Sequence, residues 1–156
     1  MTTAIVYASK HGTTGDIAAL LAAELGEDVD LFSLAEDIVS LDGFDTVVLG
    51  TAIYAGQPVK AMREFVKVFD WSGKQVALFV CGMEPDQAAR DKEVANAFPQ
   101  ELHDQAKATA FLSGRFQFGK MNKAERFIIH RIARTKTDVD QVDPEAIARF
   151  AAQIRA

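Results

Sequence analysis

At 156 residues the chain has the length of a single domain, 1–156, and can bury a core without disulfide or metal staples. Its apolar share (49%) and charged share (25%) are ordinary for a soluble globular protein, one cysteine excludes an internal disulfide framework, and a net charge of −5 argues against generic nucleic-acid binding. No apolar run approaches the roughly 18 residues of a membrane span, and no basic stretch leads into a long apolar one, so neither anchor nor secretory leader is expected and the cytoplasm is the expected compartment.

Residues 4–8, Ala-Ile-Val-Tyr-Ala, are a short apolar run bounded by polar residues, which predicts a buried strand. Ile17, Leu20, Leu21 and Leu25 recur at helical spacing, so an amphipathic helix is expected over residues 13–25. Between them lies a turn carrying Ser9, Lys10, His11, Gly12, Thr13 and Thr14. A strand that hands over to a helix aims unpaired N–H groups and the positive end of the helix dipole at one spot, which makes an anion site. Ser9, Thr13 and Thr14 add hydroxyls, and Gly12 lets the backbone approach closely. The same residue types also end strands and cap helices in proteins that bind no phosphate, so the turn alone leaves both readings open.

Residues 28–32 alternate polar and apolar, as a strand near a sheet edge does. Residues 33–41 read as a connection with some helical character around Leu34, Ile38 and Leu41. Residues 44–50 form a strongly apolar strand ending at Gly50-Thr51, and Pro58 is expected to open a helix with Val59, Met62, Phe65, Val66 and Phe69 on one face. After a turn at 71–74, residues 75–80 are the most continuous apolar strand, closing at Cys81-Gly82. A polar, helical stretch over 86–107 is interrupted at Pro99, and a fifth strand is expected over 109–114. Residues 115–136 hold seven cations against Glu125 alone, a net of +6 that leaves −11 on the remainder; Phe127, Ile128, Ile129 and Ile132 suggest a helix there. Asp143-Pro144-Glu145 is an N-cap followed by proline at the first helical position, opening a last helix through Ile154.

The run Tyr7-Ala8-Ser9-Lys10-His11-Gly12-Thr13-Thr14 resembles the phosphate loop of flavodoxins: aromatic, small residue, Ser/Thr, any residue, Thr, Gly, any residue, Thr. Ser9, Gly12 and Thr14 match, whereas His11 stands where flavodoxins usually place a third hydroxyl. The wider flavodoxin-domain family, including the menaquinone-dependent protoporphyrinogen oxidases, tolerates other residues there. Further likeness to those oxidases lies in Leu49-Gly50-Thr51-Ala52-Ile53 with Gly56, in Phe65-Val66-Lys67, and in Phe111-Leu112-Ser113-Gly114-Arg115-Phe116. It continues through the basic stretch to Arg134, Thr137-Asp138 and Phe150-Ala151. It is weakest over 84–107, and Tyr54-Ala55 replaces the oxidases' Arg-Tyr, which puts the porphyrinogen substrate in question.

The succession of strands and helices predicts an α/β fold, a flavodoxin-like three-layer sandwich with a five-stranded parallel sheet in the order 2-1-3-4-5 and helices on both faces. Ligands of such sheets bind beyond the carboxyl ends of strands 1 and 3, where the winding reverses and where the opening turn sits. No Gly-x-Gly-x-x-Gly follows the first strand, no Lys follows Gly12 as a P-loop requires, and Gly50-Thr51 stands where a phospho-accepting receiver would end strand 3 in aspartate. Flavin mononucleotide (FMN) remains, with its ring expected across two loops. One holds Thr51, Ala52, Ile53, Tyr54, Ala55 and Gly56; the other holds Cys81, Gly82 and Met83. Family resemblance implies that these loops sandwich the ring, with Tyr54 as the stacking candidate; a half-buried strand-end tyrosine is the plain alternative. Cys81 is more simply a small buried hydrophobe than a redox thiol. Lys10 and His11 are candidates to add charge to the phosphate; a solvated loop cation is the plainer reading of Lys10, and His11 would do so only if protonated beside the bound anion. His103 and His130 form no metal-spaced set with His11, so no metal site is expected.

With FMN bound, the flavin carries the chemistry, and no catalytic residue is assigned. The leading expectation is an FMN-dependent oxidoreductase passing electrons from a small organic donor, protoporphyrinogen IX among the candidates, to a quinone in the heme-biosynthesis setting of the oxidases. The alternatives are a one-electron carrier serving redox partner proteins and a non-catalytic interaction domain of the same fold. The basic segment 115–136 would suit peripheral contact with an anionic membrane surface, against the plainer reading of inward-packed Phe127, Ile128 and Ile132 with solvated cations.

Overall fold

The structure is a computed structural model, and it describes residues 2–9, 12–26, 28–54, 56–116, 139–140 and 142–156. Eight strands and five helices occur among them. Strand β1 (Thr3–Ala8) leads into α1 (Thr13–Leu25), followed by β2 (Val29–Ser33), β3 (Thr46–Tyr54), the two-residue β4 (Gln57–Pro58) and α2 (Lys60–Val68). Then come β5 (Gln75–Gly82), α3 (Gln87–Ala97), α4 (Gln100–Gln105), β6 (Ala106–Ser113), β7 (Arg115–Phe116), β8 (Val139–Asp140) and α5 (Pro144–Arg155).

The five long strands pair in parallel in the order β2-β1-β3-β5-β6, which is the expected 2-1-3-4-5 arrangement once the short β4 is set apart. Alternate residues of the sheet feed two cores. One buries Val47, Leu49, Leu78 and Val80 against Met62, Phe65 and Val66 of α2 and against Phe98 and Leu102. The other buries Ile5, Val48, Ala77 and Phe79 against Ile17 and Leu21 of α1 and Ile147, Phe150 and Ile154 of α5. Strands covered on both faces need continuous apolar sequence, which β1, β3 and β5 have. β2 has one neighbour among the described strands and none of its residues is fully buried, as suits an edge strand.

Several boundaries differ from the sequence expectation, each for a local reason. β3 does not stop at Gly50 but runs to Tyr54, because Ala52 still pairs with Cys81 and Ile53 and Tyr54 pair antiparallel with Pro58 and Gln57. Pro58 therefore belongs to the hairpin rather than to the helix. It is buried at a position where a missing N–H does no harm, and α2 starts at Lys60 with Val59 as its N-cap. Residues 34–36 form a turn rather than a helical segment. β6 begins at Ala106, ahead of the expected 109, with a register shift opposite Val76 and Ala77. The break at Pro99 separates α3 from α4 as expected, and Asp143 caps α5, accepting from the N–H groups of Glu145 and Ala146. The helix expected around Phe127–Ile132 lies outside the described residues.

Candidate functional site: the carboxyl edge of the sheet

The register brings Ala8, Thr51, Val80 and Phe111 side by side across β1, β3, β5 and β6, so the segments that follow them emerge along one edge. At that edge the turn after β1 bends back on itself. Ser9 Oγ accepts the Gly12 N–H at 2.9 Å, and Gly12 takes a left-handed conformation (φ 90°) as the N-cap of α1. Open space surrounds the point where a Cβ on Gly12 would sit, so backbone conformation, not crowding, is what asks for glycine. Asp16 N–H closes onto the Gly12 carbonyl. Among the described residues, the N–H groups of Thr13, Thr14 and Gly15 have no acceptor, as the first turn of a helix dictates.

Thr14 adds a second, independent observation. It is 1% exposed, and its Oγ1 is buried without a hydrogen-bond partner. An unsatisfied buried hydroxyl costs about 1–3 kcal/mol, so this hydroxyl and the amides with no acceptor among the described residues form a donor-rich opening that could hold an anionic group. A phosphate monoester, with its several acceptor oxygens, fits that donor set.

The other expected loops converge on the same edge. Thr51 is fully buried, and its hydroxyl is spent within the loop: it donates to the Ala52 carbonyl at 3.0 Å and accepts the Val59 N–H at 3.1 Å. These bonds tie the β3–β4 hairpin to the start of α2. Ala52 and Ile53 are half-buried on β3, Tyr54 ends that strand, and Gly56 turns the hairpin at φ 78°. Lys10, His11 and Ala55 lie outside the described residues. Cys81 is 4% exposed and packs in the α1–α5 core with Phe79 and Leu112, as the plainer reading held. Gly82 and Met83 follow it, half-buried at the edge.

Three contacts were not legible as site features. A Cβ on Gly114 would lie 2.9 Å from Cys81 Sγ and 3.3 Å from Thr13 Cγ2, and the Gly114 N–H donates to the Gly82 carbonyl at 2.9 Å; the end of β6 thereby locks onto both the first turn of α1 and the end of β5. The Tyr7 ring lies 3.1 Å from where a Gly15 Cβ would be, so β1 and α1 meet at the closest distance glycine allows. A glycine inside a helix's first turn is the signal that could have flagged this approach. Glu93 of α3 sits against Gly82, with its Oε2 buried and without a partner. Burial foremost, and the negative charge of Glu84 next, push its carboxyl above the usual range, against a lowering pull from Arg90. Arg90 itself stacks over the Phe111 ring, 4.8 Å from the centroid, and its Nε donates to the Glu84 carbonyl.

A five-stranded parallel sheet in this order between two helical layers defines a flavodoxin-like α/β fold. The family model for the flavodoxin domain matches residues 4–143, and the chain belongs to that family. Flavodoxin 1 of Salmonella typhimurium is 35% identical over 92 residues, covering 55% of this chain and 52% of that protein, so the match spans about half the length of such relatives. Protoporphyrinogen IX dehydrogenase (quinone) of Escherichia coli is 23% identical over 175 residues and is matched over 99% of this chain and 94% of its own. A Fusobacterium nucleatum flavodoxin solved with flavin mononucleotide shares the fold at a TM-score of 0.55 and 16% identity, covering 99% of this chain and 98% of that one.

Proposed function

We propose that the chain binds FMN at this edge and works as an oxidoreductase that takes reducing equivalents from a small organic donor and passes them to a quinone. The observation that carries the reading is the start of α1: three amides with no acceptor among the described residues beside a buried, unpartnered Thr14 hydroxyl. These groups would hold the phosphate, with Lys10 and His11 as the neighbouring cations. The Thr51–Gly56 hairpin and the Cys81–Met83 segment would border the ring, with Tyr54 stacked on it. Bound flavin supplies the transfer of hydride or single electrons. The protein binds and orients it, excludes water and sets the charge around it. Near full-length matching to a quinone-dependent dehydrogenase supports the quinone as acceptor, and the higher identity to Flavodoxin 1 favours a second reading, a one-electron carrier for partner enzymes.

The basic segment 115–136, most of it outside the described residues, would suit an anionic membrane surface where quinones dissolve. Among the described residues no helix is long and apolar enough to cross a membrane.

The two readings part in one assay. FMN-loaded protein is supplied with protoporphyrinogen IX and a menaquinone analogue. Quinone-dependent oxidation supports the enzyme. Absence of turnover with any donor and quinone, alongside delivery of single electrons to a partner enzyme, would instead establish the carrier.

A further inference from the structure

The carboxyl of Glu93 reaches across from α3 to the strand end that is proposed to border the flavin. Its Oε2 lies 3.6 Å from where a Gly82 Cβ would stand, on the side of the sheet that also carries Val80 and Phe111. Nothing among the described residues hydrogen-bonds that oxygen. Buried carboxylates ordinarily find donors, because leaving the charged form unpaired in a poorly solvated position is costly. Glu93 has instead a second carboxylate nearby, Glu84, and a cation, Arg90, whose Nε is already committed to the Glu84 carbonyl and whose guanidinium lies over Phe111.

Among the described residues, the elements packed against α3 bring no further cation to that oxygen. β4 contributes only Gln57 and Pro58, and β3 turns Leu49, Thr51 and Ile53 toward this layer. Cys81 of β5 packs on the opposite face. β6 brings Thr109 and Phe111, while Lys107 Nζ donates to Gln75 and to the Ala156 carbonyl; His103 of α4 borders the groove between α3 and β6. Burial and the Glu84 charge thus hold the Glu93 carboxyl above its usual range, and it is half-buried, so that solvent can still deliver a proton.

We propose that Glu93, set against Gly82 beneath the β5–α3 segment, binds a proton from solvent when the cofactor at this edge is reduced. The inference rests on the FMN reading above and adds a residue to it. In the step, the electron comes from the external donor and stays on the cofactor. The proton comes from water and converts the Glu93 carboxylate to the acid; no bond between protein and cofactor forms or breaks. Added negative charge at the edge raises the proton affinity of a neighbouring carboxyl, and Glu93 starts from a proton affinity already raised by its burial against Gly82. By linkage the same proton favours the reduced state.

The test is the midpoint potential of FMN-loaded protein followed against pH, together with proton uptake on dithionite reduction read by an indicator dye in weak buffer. Wild type should show a break in the potential-versus-pH plot that Glu93→Gln lacks, and uptake within that window should be lower in Glu93→Gln. Glu84→Gln, which removes the neighbouring charge and keeps an acceptor for the Asp86 N–H, should move the break to lower pH without abolishing it. Affinity for oxidised FMN should be equal in all three. Identical breaks and identical uptake in wild type and Glu93→Gln would overturn the proposal while leaving the FMN reading intact. Failure of wild type to bind FMN would instead overturn the FMN reading and, with it, this inference.

Discussion

Phe79 occupies the space that a side chain on Gly50 would need: a Cβ there would stand 2.0 Å from Phe79 Cζ. The two residues are register partners on β3 and β5, and the ring lies on toward Phe150 of α5, whose ring centroid is 6.1 Å away at 71°. Gly50 thus marks no strand end. It is a gap in β3 that a fully buried aromatic fills, and it lets α5 close on the sheet.

Gly50→Ala should therefore destabilise the fold by about 3 kcal/mol, since the Phe79 ring is enclosed and has nowhere to move. Urea denaturation measures it. In a Phe79→Leu background the same substitution should cost much less; an equal cost in both backgrounds would mean that the ring is not the obstacle.

Thr51 and Thr14 are both buried threonines with opposite bookkeeping. Thr51→Val strands the Val59 N–H and should cost about 1–3 kcal/mol, loosening the β3–β4 hairpin. Hydrogen exchange at Val59 should rise along with the loss of stability.

Thr14→Val removes a hydroxyl that has no partner, so the cofactor-free protein should be unchanged or slightly more stable. FMN affinity should fall about tenfold, the worth of one hydrogen bond to a charged group. Thermal melts with and without FMN check both halves; a destabilised cofactor-free protein would show that the hydroxyl has a structural partner.

Glu93 also predicts a pH dependence of stability. Its folded-state carboxyl titrates above the ordinary 4.5, so the native state holds a proton that the unfolded chain gives up. The contribution is complete below about 4.5 and is lost as pH rises through the elevated folded value. Glu93→Gln should flatten that decline, making the variant the more stable protein at neutral pH; parallel stability curves would contradict it.

Much of this fold could be read directly. The apolar runs of β1, β3 and β5, the periodicity of α1 and the Asp143-Pro144 start of α5 each carry their own local signal, and the structure follows them. What escaped depends on partners distant in sequence. Pro58 looks like a helix opener until Ile53 is seen to pair with it, and Gly50 looks like a terminator until Phe79 is placed on it. The Ser9–Thr14 turn was visible because its residues lie together in the chain. The tie between Thr51 and Val59 was not visible, because nothing local reveals that the Val59 N–H donates to that hydroxyl. Glu93 sits in a polar helix with no pattern of its own, and only the approach of α3 to Gly82 gives it meaning.

The central claim is that the first turn of α1 holds a phosphate, and comparing FMN with riboflavin on the cofactor-free protein tests it most directly. Quenching of flavin fluorescence gives both affinities, and the two ligands differ only in that group. If the amides with no acceptor among the described residues and the Thr14 hydroxyl hold that group as proposed, FMN should bind at least about 100-fold more tightly than riboflavin. Equal affinities, or no binding of either, would contradict the account.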